Sequence, residues 1–159
     1  MPTIASEIVE VCVFRIVHNE AHFLLLKRSA NDKLYPGTWQ IVTGMIDGAE
    51  HSVVAALREV KEETGLPLKR FWTAPTVASF YDPAHDRLQL IPMFAAEVNP
   101  GQEPKLSAEH QEFVWLSLEE ARERLVWPSQ RKALKIVQKY IVGRQQVSEL
   151  VEIKLPFDQ

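Results

Sequence analysis

The sequence predicts an α/β chain in which a mixed β-sheet carries packed helices. Three observations support that class. Segments rich in β-branched and aromatic residues are interleaved with helix-periodic ones. Several connections between them are of hairpin length, which a purely parallel sheet does not allow. The 159 residues are 46% hydrophobic, enough for one sizeable core, so a single domain over residues 1–159 is expected.

The elements follow in order. Ile8 to Val17 is β-branched and apolar and reads as a strand. His18-Asn19-Glu20 turns the chain, and His22 to Arg28 returns as a second strand. Asn31 to Gly37 carries Asn, Asp, Pro and Gly and reads as a loop. Trp39 to Thr43 is a short strand ending at Gly44. Glu50 to Thr64 is the clearest helix, free of internal Gly and Pro and stopped by Gly65 and Pro67. Thr73 to Tyr81 and Arg87 to Val98 are strands joined through Asp82-Pro83, and Asn99 to Pro104 is a loop. Glu112 to Leu116 is a strand, while Leu118 to Leu125 and Ser129 to Val142 are helices. The tail from Gly143 has no clear pattern.

Composition removes several function classes. Eighteen basic against 21 acidic residues give a net charge of −3, so there is no basic field to gather nucleic acid. The one cysteine, Cys12, lies in an apolar run and reads as a buried thiol. It allows neither an intrachain disulfide nor a cysteine zinc site. Met1 to Ser6 has no signal-peptide pattern, and no apolar run approaches a membrane span. A cytoplasmic protein with no membrane partner is expected, as a monomer or homodimer.

The chemistry is concentrated in Gly44 to Leu66, GMIDGAEHSVVAALREVKEETGL. With Glu59 at zero on a helical wheel, Glu62 falls at about −60° and Glu63 at about +40°. Val53, Val54, Leu57 and Val60 fall between about 100° and 220°, so a carboxylate face opposes a core face. Lys61 intrudes on the apolar side, with its stem expected along the sheet edge and its amine in water. Acids this close repel, and a shared pocket raises their pKa values. A hard divalent cation, Mg²⁺ or Mn²⁺, removes the repulsion and completes its shell with phosphates. A solvated acidic face is the alternative meaning of such a run. The glycine-bearing loop before the helix favours a ligand site, because it lets backbone approach closely. Arg58 can pair with Glu62 or hold Glu50. If both were helical, Glu50 and Arg58 would stand about 12 Å apart, so that pair requires Glu50 in the entering loop. Otherwise Glu50 is a helix-start acid favoured by the macrodipole.

This segment resembles the signature of the Nudix hydrolase family, G-x5-E-x7-R-E-U-x-E-E-x-G-U with U bulky aliphatic. Gly44, Glu50, Arg58, Glu59, Val60, Glu62, Glu63, Gly65 and Leu66 fill every defined position. The resemblance implies an α/β/α sandwich and water attack on phosphorus in a diphosphate, with Mg²⁺ (or Mn²⁺) neutralising the oxygens. It implies metal ligation by Glu59, Glu62, Glu63 and the Gly44 region, with Arg58 and Glu50 orienting the loop and helix. A second patch, LSAEHQEFVWL over Leu106 to Leu116, is similar to a family stretch that adds a carboxylate from outside the box. Glu109 matches that position and is the expected general base or water positioner. Glu112 competes with it, and Glu59 or Glu62 takes the role if neither does.

Trp39 to Gly44 resembles the approach to the motif in dATP and dihydroneopterin triphosphate pyrophosphohydrolases. A nucleotide or pterin triphosphate substrate, split to monophosphate and pyrophosphate, is therefore expected. The Leu106 to Ala121 stretch and Tyr81 are also similar to diadenosine tetraphosphate hydrolases. A binding module of the same fold without catalysis is the third reading; the complete carboxylate set argues against it. Trp39, Tyr81, Phe80 and Trp127 are candidate stacking residues, or else packing. Arg28 is a candidate phosphate contact, or else a solvated strand-end cation. His18, His22, His51, His85 and His110 show no metal-ligand spacing.

Overall fold

In the computed structural model, which describes residues 1–157, alternation along the strands sorts side chains onto two faces. The strands are β1 (Thr3–Ala5), β2 (Ile8–Val17), β3 (Glu20–Arg28), β4 (Trp39–Gln40), β5 (Val42–Met45), β6 (Leu68–Asp82), β7 (Arg87–Val98), β8 (His110–Leu116) and β9 (Glu152–Ile153). They form one sheet in the order β4-β3-β2-β7-β6-β9, with β1 beside β7, β5 beside β2 and β8 beside β3. The β1–β7 and β2–β7 pairs are parallel and the others antiparallel, so the sheet is mixed.

Val9, Val11 and Val13 of β2 point to one face, where helix α1 (Ser52–Thr64) covers them with Val53, Ala56 and Val60. Cys12 and Phe14 point to the other, under α2 (Leu118–Arg124) and α3 (Pro128–Ile136), which contribute Ala121, Ala133 and Leu134. Helices thus lie on both faces, as expected of an α/β/α sandwich. A π-helical segment, Val137–Val142, continues α3, and a short α4 (Gln146–Leu150) precedes β9.

Several boundaries differ from the sequence reading for physical reasons. The strand expected over Trp39 to Thr43 is broken at Ile41, because β4 pairs with β3 whereas β5 pairs with β2. Buried Ile41 sends its N–H to Gln130 Oε1 at 3.3 Å instead of to a strand. Helix α1 starts at Ser52 rather than Glu50, since the His51 ring caps it by accepting from the Val53 N–H at 3.2 Å. It ends as expected at Gly65, whose φ of 64° takes the left-handed turn while its N–H bonds to Lys61. The helix expected over Ser129 to Val142 begins with Pro128 and changes to π winding at Val137. The Thr73 to Tyr81 strand extends to Leu68–Asp82.

Candidate active site

The loop between β5 and α1 is held by one side chain. Arg58, on the second turn of α1, reaches back to Glu50, donating from Nε to Oε1 and from Nη2 to Oε2 at 2.9 Å each. Nη2 also meets the Met45 carbonyl at 2.8 Å, and Nη1 meets Glu59 at 2.8 Å and Glu62 at 3.2 Å. Glu50 further accepts from the Asp47 N–H at 3.1 Å. The fork pins loop to helix, and the Arg58 hydrogen bonds hold the Glu50 carboxyl down at about 2. Glu50 is therefore in the entering loop, as the 12 Å argument requires, and is no helix-start acid.

Gly44 faces α1 with no side chain, and Glu59 fills the space. A Cβ on Gly44 would stand 1.9 Å from Glu59 Cδ. The close approach of helix and strand buries Glu59 and, one turn on, Glu63. This corrects the expectation that the carboxylate face stands wholly opposite the core. Only Glu62 of the three is exposed, and Val54 and Leu57 are half-buried while Ala55 and Ala56 are buried. Burial raises the Glu59 pKa, against the opposing pull of Arg58.

Glu63 is the anomaly of the site. It is 2% exposed, and neither carboxylate oxygen has a hydrogen-bond partner within 3.5 Å, although the Thr43 backbone lies near enough to lower its pKa against the larger effect of burial. Burial above all, then the charges of Glu59 and Glu109, pushes its pKa up to about 9. A buried carboxylate left without partners costs free energy that a cation would offset. The donor set is oxygen-rich and suits a hard divalent ion. Glu109, exposed on the loop before β8, brings its carboxylate to the same place. One oxygen of Glu63, one of Glu109 and a ring nitrogen of His110 lie within 4.8 Å of one another.

His110 is the residue that spacing missed. It opens β8, and the pairing of Arg28 with His110 between β3 and β8 delivers it beside the helix acids. The only local signal was its place next to Glu109. The ring is 5% exposed, and burial holds its pKa down at about 4. Glu112, the competitor of Glu109, instead faces Lys27 at 3.4 Å.

The expected substrate contacts fall in different places. Arg28 braces the loop after β3, through Asp32 and, at 2.8 Å, the Leu34 carbonyl, yet its charge still lowers the pKa of Glu63. The Trp39 ring has Lys27 Nζ 5.8 Å and Arg124 Cζ 5.2 Å from its centre. Tyr81 is exposed on the β6–β7 hairpin and donates to Asp86 at 3.0 Å. Trp127 packs edge-on against Tyr35, with 4.9 Å between ring centres. A concavity of about 440 Å³ lined by Leu118, Lys132, Lys135 and Lys139 lies on the α2–α3 side of the sheet and contains none of the carboxylates.

A model of the NUDIX domain matches residues 7–136. An octanoyltransferase of Myxococcus xanthus is 33% identical over 123 residues, 73% of this chain and 32% of that protein. The chain thus spans about a third of the length of that relative. The nucleoside triphosphatase NudI of Klebsiella pneumoniae is 25% identical over 114 residues, 67% of this chain and 81% of that protein. A solved structure from Listeria monocytogenes, described as a NUDIX hydrolase, has a TM-score of 0.74 at 25% identity, covering 88% of this chain and 97% of that one. An Ap4A hydrolase of C. elegans (TM-score 0.70, 22% identity, 87% and 99% covered) shares the fold. So does the dihydroneopterin triphosphate pyrophosphohydrolase of E. coli (0.68, 20%, 90% and 99%). Among the described residues, no helix is long and apolar enough to cross a membrane.

Proposed function

Since this chain belongs to the Nudix family, we propose that it is a hydrolase that cleaves a diphosphate linkage in a nucleoside triphosphate or pterin triphosphate, releasing monophosphate and pyrophosphate. The observation that carries this reading is the buried, unpartnered Glu63 carboxylate beside Glu59 and Glu109. Glu59, Glu62, Glu63 and the Gly44 carbonyl would hold Mg²⁺, or Mn²⁺ in its place. Bound there, the ion would supply positive charge against the diphosphate oxygens. Arg58 keeps the loop and helix in register, with Glu50 as its anchor. Glu109 accepts the proton of the water that attacks phosphorus; the bridging P–O bond then breaks and pyrophosphate leaves with the bond electrons. Trp39 and Tyr81 offer stacking surfaces for the base or pterin, and Arg28 a cation for the phosphates.

The nucleoside triphosphatase relative supports a triphosphate substrate, because the chain covers 81% of that protein. The test is a substrate panel with product identification: dNTPs, dihydroneopterin triphosphate, diadenosine polyphosphates and nucleotide sugars, with Mg²⁺ and with excess chelator. Pyrophosphate and a monophosphate, formed only with the metal, are expected. Mononucleotide release from diadenosine tetraphosphate alone would assign the chain to that substrate instead. Binding of nucleotide with no product would make it a binding module.

A further inference from the structure

Two buried polar groups in the site have no partner, and they are of opposite kind. Glu63 offers two acceptor oxygens. His110 offers Nδ1, also unpartnered, while its Nε2 lies 3.1 Å from the Gln40 side-chain Nε2. With the Gln40 amide in this orientation its nitrogen donates, and His110 Nε2 presents its lone pair. The ring is then neutral with its proton on Nδ1, and neither nitrogen has a lone pair left for a metal. On that tautomer the group that looks like a third ligand is a hydrogen-bond donor beside the Glu63 and Glu109 carboxylates, which lie within 4.8 Å of it.

Resting on the metal-dependent reading above, we propose that His110 is a positioning residue of the metal site. Gln40 fixes it as the Nδ1–H tautomer, and that N–H, which has no partner in this structure, closes on one Glu63 oxygen when the other binds the cation. The chain of contacts starts on β4 and ends on α1: Gln40 orients His110, and His110 orients Glu63. The β3–β8 pairing sets its span, because it places His110 opposite Arg28. Partners of this kind fix the direction of a ligand and raise its affinity for metal.

The test has a readout free of turnover. In the metal-free wild-type protein, ¹⁵N shifts of the His110 ring should show the proton on Nδ1. Mn²⁺ affinity, followed by electron paramagnetic resonance without substrate, should fall roughly 10–100-fold in His110→Gln. That side chain puts its amide near the Nε2 position and leaves no donor toward Glu63. His110→Asn puts an N–H near the Nδ1 position and should bind Mn²⁺ close to wild type. Thermal melting in chelator checks that both variants fold; if either does not, the tautomer decides alone. A proton on Nε2 overturns the proposal and makes His110 a direct ligand. Equal Mn²⁺ affinity in the two variants also overturns it. A raised KM with unchanged Mn²⁺ affinity overturns it too, assigning the donor to substrate phosphate. A wild type that binds no Mn²⁺ removes the hydrolase mechanism together with this proposal, whereas altered tautomer or variant behaviour removes this proposal alone.

Discussion

Glu10→Gln should stabilise the protein increasingly as pH rises from 4.5 to about 7, and by a constant amount above that. Glu10 is the third residue of β2, on the α2–α3 face, paired across the sheet with Met93 and Thr43. It is 5% exposed; one oxygen accepts from Gln130 Nε2 at 3.1 Å and the other has no partner. Burial pushes its pKa up from 4.5 to about 7, with the Gln130 hydrogen bond opposing. The folded state therefore holds a proton that the unfolded state has lost between those values. Stability from this group is present below pH 4.5 and declines as pH rises through about 7. The shift corresponds to about 3 kcal/mol, from ~1.4 kcal/mol per pKa unit. Glutamine keeps the acceptor for Gln130 and never ionises. Urea unfolding of both proteins in chelator, where the other buried acids contribute equally and cancel, should give nearly equal stabilities at pH 4.5. At pH 8 the variant should be favoured by up to about 3 kcal/mol. At roughly 2–4 °C per kcal/mol for a domain of this size, melting temperatures should separate visibly. A difference that is constant with pH, or a variant less stable at pH 8, would refute the argument.

The other predictions concern the site. Glu63→Gln should fold normally, because the acid it replaces is pushed up to about 9 and is neutral at pH 7 without metal; turnover should nevertheless fall by orders of magnitude, as measured by pyrophosphate release in Mg²⁺. Gly44→Ala puts a Cβ 1.9 Å from Glu59 Cδ, so the flexible carboxylate must swing away; activity should drop roughly 10²-fold while melting in chelator changes little. Glu109→Gln should lower kcat by roughly 10²–10⁴-fold with little change in KM. Glu112→Gln should be mild, since exposed Glu112 meets only half-buried Lys27; reversed kinetics for that pair would move the base to Glu112.

What was legible in the sequence is what depends on local repeats. The β-branched, apolar content of Ile8 to Val17 and the Gly65 stop give strand and helix directly, because neighbours a few residues apart settle them. The place of Glu50 was legible only as a condition: a direct pair with Arg58 required it in the loop, while the helix itself was read as starting there. The break at Ile41 was not legible, since it depends on which strands β4 and β5 choose as partners. Strands β1 and β9, of three and two residues, are too short for a period to show. Burial of Glu59 and Glu63 was not legible either, because a helical wheel does not record that the facing strand residue is Gly44. His110 escaped for a related reason: the β3–β8 pairing, not spacing, brings it to Glu63.

The charges around α1 explain why this arrangement holds together and what it lacks. One guanidinium, Arg58, serves Glu50, Glu59 and Glu62 at once. Arg28, a cation close enough to lower the pKa of Glu63, is engaged by Asp32. Negative charge therefore exceeds positive at the point where burial screens it least, between Glu59 and Glu63. Packing alone would favour an apolar side chain over Gly44, as Val9 and Val11 on the same face of the sheet indicate. The fold accommodates the acids by protonating Glu63 when no cation is present and by bracing Glu59 on Arg58. A divalent ion reverses the first of these, and its binding must then release a proton near neutral pH. Metal affinity should accordingly rise with pH up to about 9, where the Glu63 proton is already lost. Proton release counted by calorimetry of Mn²⁺ binding in buffers of different ionisation heat checks this, and a count of zero at pH 7 would contradict it.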